Sequence, residues 1–242
     1  MMRTLVFGDI HGGYKALLQA IKLVQPAIED RLIFVGDYVD GWSESLEVIS
    51  YLIALSEKHH CIFIRGNHDE LLYKFLKHGD ANAMWLAHGG ESSKKRYEDL
   101  SEEILNKHIE FLEQLRNYYV DEENRLYLHA GFTDQSGPEH EFYPNTMYWD
   151  RTLWEMVCGM DPELTPNDTK YPKRLKLFSE IYIGHTPTTR IGKAVPTQFA
   201  NVWNTDTGAA FKGPLSVIDV NTKEFWQSDP VWKLYPNEQG RN

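Results

Sequence analysis

Short apolar runs punctuate the chain at residues 3–8 (RTLVFG), 31–36 (RLIFVG), 61–65 (CIFIR), 125–129 (RLYLH) and 181–184 (IYIG). Each is too short for a helix, is rich in branched and aromatic side chains, and leads into a turn. That pattern predicts buried strands. Between the first two runs, Leu17, Leu18, Ile21 and Val24 lie on one face of a helix. Between the second and third, Leu46, Ile49, Leu52 and Ile53 do the same. The β-α-β-α-β order predicts an α/β fold of layered sheets flanked by helices. Residues 70–116 follow a helical pattern, broken at Gly79-Asp80 and again at Gly89-Gly90. Residues 132–174 are rich in Pro, Gly, Asp and aromatics, with one helical stretch near Thr152–Cys158. They predict a long loop region across the top of the domain, of the kind that holds specificity. Residues 215–228 predict two strands joined at Asn221-Thr222. With no repeat, linker or low-complexity tract, residues 1–242 are expected to form a single domain.

Composition changes this picture little. A hydrophobic fraction of 42% and a charged fraction of 25% are ordinary for a globular protein. The two cysteines, Cys61 and Cys158, suggest no disulfide framework. Neither a signal peptide nor a membrane-length apolar run is apparent, so a cytoplasmic protein is expected. The formal net charge of −10 argues against a nucleic-acid partner.

The polar positions after the apolar runs carry the candidate chemistry. GDIHG (8–12), GDYVDG (36–41), RGNHDE (65–70), HAGF (129–132) and GHTPT (184–188) each place metal-ligand side chains at a strand end, where sites gather in α/β sheets. The candidate ligands are Asp9, His11, Asp37, Asn67, His129 and His185. Imidazole nitrogen mixed with carboxylate and amide oxygen suits Mn, Fe or Zn better than Ca. A carboxylate can span two ions about 3.5–4 Å apart, and Asp37 is the candidate bridge. Any one of these segments is weak evidence, but five in order at strand ends are specific.

The set resembles the calcineurin-like metallophosphoesterases, whose pattern is GDxHG, GDxxDRG, GNHE or GNHD, HGG or HAG, and GHT. Within them it resembles the bacterial and phage serine/threonine protein phosphatases, the lambda phage phosphatase among them. The segments MWLAHGG (84–90), YWDRT (148–152), IYIGHTP (181–187) and 199–220 share the resemblance. It implies that Asp9 and His11 hold one divalent ion, that Asp37 bridges, and that Asn67, His129 and His185 complete the second. Manganese is the first choice of metal, with Fe, Zn, Ni or Mg as alternatives. A hydroxide shared by the ions would attack phosphorus. His68 would be the general acid, with Asp40 orienting it. Asn67 and Arg151 would bind the substrate phosphate, and Arg190 could reach it. The chain departs from the pattern where the family has an arginine, reading Asp40-Gly41-Trp42. One phosphate clamp is therefore missing, and Gly41→Arg is expected to restore it. The implied activity is phosphomonoester hydrolysis, on a phosphorylated protein or a small phosphate ester. Hydrolysis of symmetrical dinucleoside polyphosphates or phosphodiesters is the alternative, and a non-catalytic binding protein is the third reading.

Overall fold

Side chains along the strands alternate between two environments, and this alternation organises the whole molecule. The computed structural model describes residues 2–241. The chain runs β1 (Thr4–Phe7), α1 (Tyr14–Val24), β2 (Arg31–Phe34), α2 (Ser45–Ser56), β3 (His60–Phe63) and α3 (Asn67–His78). It continues through α4 (Ala83–Trp85), α5 (Glu91–Tyr97), α6 (Glu102–Glu113), β4 (Tyr118–Val120) and β5 (Arg125–Leu128). Then come α7 (Thr146–Trp149), α8 (Thr152–Cys158), β6 (Glu180–Ile183), β7 (Thr197–Phe199) and β8 (Val202–Asn204). The hairpin β9 (Ser216–Asp219) and β10 (Phe225–Gln227), and α9 (Val231–Leu234), complete it.

Two mixed five-stranded sheets result, ordered β10-β9-β1-β2-β3 and β4-β5-β6-β8-β7. β1, β2 and β3 are parallel, as are β5, β6 and β8. Leu5, Phe7, Leu32 and Phe34 face the helices of the first sheet, while Val6, Ile33 and Val35 face the second sheet. In β5 and β6, Leu126, Leu128, Ile181 and Ile183 pack outward with α8, while Tyr127 and Tyr182 point inward and stack at 5.2 Å. Strands buried on both faces read as continuous apolar runs, which is why the sequence displayed them. The layered α/β fold is as expected.

The break expected at Gly79 is a left-handed helix cap at φ +72°. That at Gly89 is a kink at φ +105° inside a π-turn spanning Leu86–Gly90. β4, β7 and β8 were not anticipated. Each has three residues and is held by its neighbour in the sheet. Residues 132–174 form the expected long connection, with α8 at Thr152–Cys158 and the further short helix α7. No helix among the described residues is long and apolar enough to cross a membrane.

Candidate active site

The parallel strands β1, β2, β3, β5 and β6 end at one edge of the two sheets, and the loops that follow them meet there. Asp9 and His11 follow β1, Asp37 and Asp40 follow β2, and Asn67 and His68 open α3 after β3. His129 follows β5 and His185 follows β6. All eight are buried, with His185 the most exposed at 9%. His11, Asp37, Asp40 and His185 adopt φ of +51°, +53°, +71° and +68°. Left-handed backbone on non-glycine residues is costly, and its concentration here marks turns shaped to aim side chains. Gly66 is required for close approach, because a Cβ there would lie 2.2 Å from Asp37 Oδ1.

The ligand atoms form two groups joined by Asp37. Its Oδ2 lies 3.4 Å from His11 Nε2, which is 3.8 Å from Asp9 Oδ2. Its Oδ1 lies 3.4 Å from His129 Nε2. Asn67 Oδ1 lies 3.2 Å from His129 Nε2 and 2.9 Å from His185 Nδ1. His129 Nδ1–H donates to the Val35 carbonyl at 2.8 Å, and His11 Nδ1–H to that of Val39 at 3.2 Å. Each ring therefore turns Nε2 toward carboxylate or amide oxygen, and with Nε2 unprotonated its lone pair faces those oxygens. Acceptors converging on acceptors need a cation between them. His185 Nε2 is also buried without a partner. These donors fit two divalent cations of the Mn, Fe or Zn kind, with Asp37 offering one oxygen to each group. The six predicted ligands are all brought together.

The electrostatics agree. Burial, then the carboxylates of Asp206 and Asp37, push Asp9 well above the usual carboxylate range. Asp206, also buried, is pushed up to about 6. Burial holds His11 and His185 well below the ordinary histidine value, and so neutral. Burial would raise Asp37, but His129, His68 and His11 outweigh it and hold that carboxylate low. Burial would lower His129, but the Asp37 carboxylate outweighs it and raises that ring. One raised imidazole leaves the buried carboxylates short of positive charge, which two divalent ions would supply as about +4.

His68 sits beside this cluster, its backbone N–H donating to Asp37 Oδ1 at 3.0 Å. Its Nδ1–H donates to Asp40 Oδ2 at 2.6 Å, so Nε2 is the nitrogen left for a substrate. The Asp40 backbone N–H reaches the hydroxyls of Ser45 and Ser93 at 3.0 and 3.1 Å. Asp40 does not cap α2, whose flanking residue is Glu44. Two supporting residues escaped the sequence reading. Trp85 donates its indole N–H to the same Asp40 Oδ2 at 2.6 Å. Asp69 accepts the backbone N–H groups of Asp37, Tyr38 and Gly66 at 2.8 to 2.9 Å, tying the β2 turn to α3. Asp69 was legible as the last residue of GNHD, but Trp85 is 45 residues from its partner and left no local signal.

Above the cluster lies a cleft with a cavity volume of about 180 Å³. Arg151, Arg190 and Arg241 line it, as do the apolar Leu71, Met84, Trp149 and Phe211. Arg65 faces elsewhere, bracing its turn through Glu70 at 2.6 Å and the Leu115 carbonyl at 3.2 Å. Tyr38 and Trp42 are fully buried and do not face a ligand.

A family model for calcineurin-like phosphoesterases matches residues 2–212. The chain is 30% identical, over 88% of its length and 88% of the relative's, to bis(5'-nucleosyl)-tetraphosphatase PrpE [asymmetrical] of Geobacillus thermodenitrificans. It is 29% identical, over 95% of its length and 74% of the relative's, to the symmetrical bis(5'-nucleosyl)-tetraphosphatase of Erwinia tasmaniensis. Among solved structures, the cold-active protein-tyrosine phosphatase of a psychrophilic Shewanella superposes with a TM-score of 0.58 at 13% identity, covering 95% of this chain and 81% of that one. That last similarity reaches the fold alone.

Proposed function

The chain belongs to the calcineurin-like phosphoesterases, and from that premise we propose that it is a two-metal hydrolase of dinucleoside polyphosphates. The observation that carries the reading is the cleft itself. Three guanidinium groups and an apolar wall stand over one ligand cluster. A single phosphomonoester needs one or two cationic clamps, whereas a polyphosphate chain with a base at its end uses several, together with apolar surface. The two tetraphosphatase relatives support the same choice between the expected activities.

Asp9, His11 and Asp37 would hold one cation, and Asp37, Asn67, His129 and His185 the other, with manganese the proposed metal. When bound, the pair would neutralise phosphate charge and activate the attacking water. Arg151, Arg190 and Asn67 bind phosphate oxygens and set the chain in line with that water. The attacking water loses a proton to solvent as the new P–O bond forms, the bridging P–O bond breaks, and its electron pair leaves on the departing phosphate. His68 gives that oxygen a proton from Nε2, while Asp40 holds Nδ1 and stabilises the charged ring.

The test compares kcat/KM for diadenosine tetraphosphate, para-nitrophenyl phosphate and its bis ester on the same Mn²⁺-loaded protein. The tetraphosphate should lead by at least about tenfold, the effect of one further charge-assisted hydrogen bond. Faster turnover of the monoester would return the reading to a phosphatase.

A further inference from the structure

The family's GDxxDRG arginine is absent at Gly41, and the structure shows what fills its place. Gly41 has φ +97°, and a Cβ there would lie 3.3 Å from Arg241 Cγ. Gly89, at φ +105°, would bring a Cβ within 3.1 Å of the same atom. The stem of Arg241 thus runs between two glycine backbones whose N–H and carbonyl join at 3.1 Å. Any side chain at position 41 would compete with it.

The next residue, Trp42, explains how that stem is held. Its ring is fully buried, donates its N–H to the Ala209 carbonyl at 2.7 Å and stacks on Tyr235 at 5.3 Å. Ser43 donates its backbone N–H and its hydroxyl to the Glu238 carboxylate at 2.9 and 2.7 Å. The Arg241 backbone N–H donates to Ala210 at 2.9 Å. Gly41 therefore leaves room for Arg241, and Trp42-Ser43 anchors the segment that carries it. This segment lies beyond the residues that match the family model.

The guanidinium lies 5.5 Å from the Phe211 ring and lines the cleft with Arg151 and Arg190. Among the described residues none of these three arginines has a carboxylate within ion-pair distance, as the salt bridges fall elsewhere. Arg241 Nε is buried without an acceptor. Burial, then the charges of Arg190 and Arg241, lower the proton affinity of Arg151. Unpaired guanidiniums gathered in a cleft cost free energy that an anionic ligand offsets.

We propose that Arg241 binds substrate phosphate in the position left open by Gly41, completing the clamp from the opposite end of the chain. The inference rests on the phosphoester-hydrolase reading, so its test does not depend on turnover alone. Binding of inorganic phosphate to the Mn²⁺-loaded protein is measured by calorimetry for wild type, Arg241→Ala and Arg241→Lys, with a melting temperature for each. Arg241→Ala should weaken phosphate binding about tenfold to a hundredfold, the scale of one charge-assisted hydrogen bond. Its KM for diadenosine tetraphosphate should rise in parallel, and its melting temperature should hold, because Trp42, Tyr235 and Glu238 still dock the segment. Arg241→Lys should recover part of the loss, keeping the charge without the fork. Glu238→Gln, which loosens the segment but keeps the guanidinium, should also weaken phosphate binding. Unchanged phosphate affinity in a folded Arg241→Ala, with wild-type turnover intact, would overturn this inference alone. A wild type that neither binds phosphate nor turns over any ester would overturn it together with the hydrolase reading.

Discussion

Replacing Trp85 with phenylalanine tests whether the His68–Asp40 pair acts as a positioned unit. The substitution keeps an aromatic ring but deletes the N–H that Asp40 Oδ2 accepts at 2.6 Å. Asp40 is fully buried and its other oxygen has no partner, so this bond is one of two side-chain donors on the carboxylate. A hydrogen bond to a charged group contributes about 1.5–3 kcal/mol. The indole is also 1% exposed and packs against Phe75 at 5.3 Å, so the smaller ring should cost roughly 1 kcal/mol more in stability. If about half of the lost bond energy reaches His68 through Asp40, kcat falls about three- to tenfold with little change in KM. The assay is steady-state turnover in a double-mutant cycle with Asp40→Ala. If Trp85 acts through Asp40, Trp85→Phe should change kcat by less than about twofold once Asp40 is gone. Additive effects, or an unchanged kcat beside a lowered melting temperature, would reduce Trp85 to packing.

Two other consequences are open to measurement. His108 is 2% exposed between the hydroxyls of Tyr97 and Ser50, and burial lowers its pKa from 6.5 to about 4. The unfolded chain then binds more protons than the folded one between those values. Stability should fall by up to about 3 kcal/mol as pH drops from 6.5 to 4, and His108→Gln should flatten that part of a denaturant-derived stability profile. Gly41→Arg, expected from the sequence to restore a clamp, should do the reverse. It puts a side chain at φ +97° against the Arg241 stem, so phosphate affinity should drop below wild type in a titration, and a gain would contradict the placement of Arg241.

The parts of the molecule legible in the sequence were those encoded locally. β1, β2 and their counterparts are buried on both faces and announce themselves as apolar runs. Their ends carry ligands within four residues, as with Asp9 and His11. β4, β7 and β8 have three residues each, and β4 is only half-buried. Neighbouring strands make them, and no periodicity could show it. Trp85 and Arg241 follow the same logic from farther away. Trp85 meets Asp40 because the π-turn at Leu86–Gly90 folds α4 back over the β2 loop. Arg241 meets Gly41 because Trp42 captures the segment around Tyr235. The gap left by a missing arginine was visible in the sequence, but the residue that fills it was not, since the contact joins positions 200 apart in the chain.

On the proposed mechanism, the paired cation site and His68 together hydrolyse a phosphate ester of the polyphosphate kind. The most direct measurement is diadenosine tetraphosphate turnover by metal-free protein, by protein reloaded with Mn²⁺, and by reloaded His68→Asn. Turnover should be absent without metal, return with Mn²⁺, and fall about 10²–10⁴-fold in the variant, the usual range for loss of a general acid. Full turnover in excess chelator, or a His68→Asn variant as fast as wild type, would contradict that mechanism.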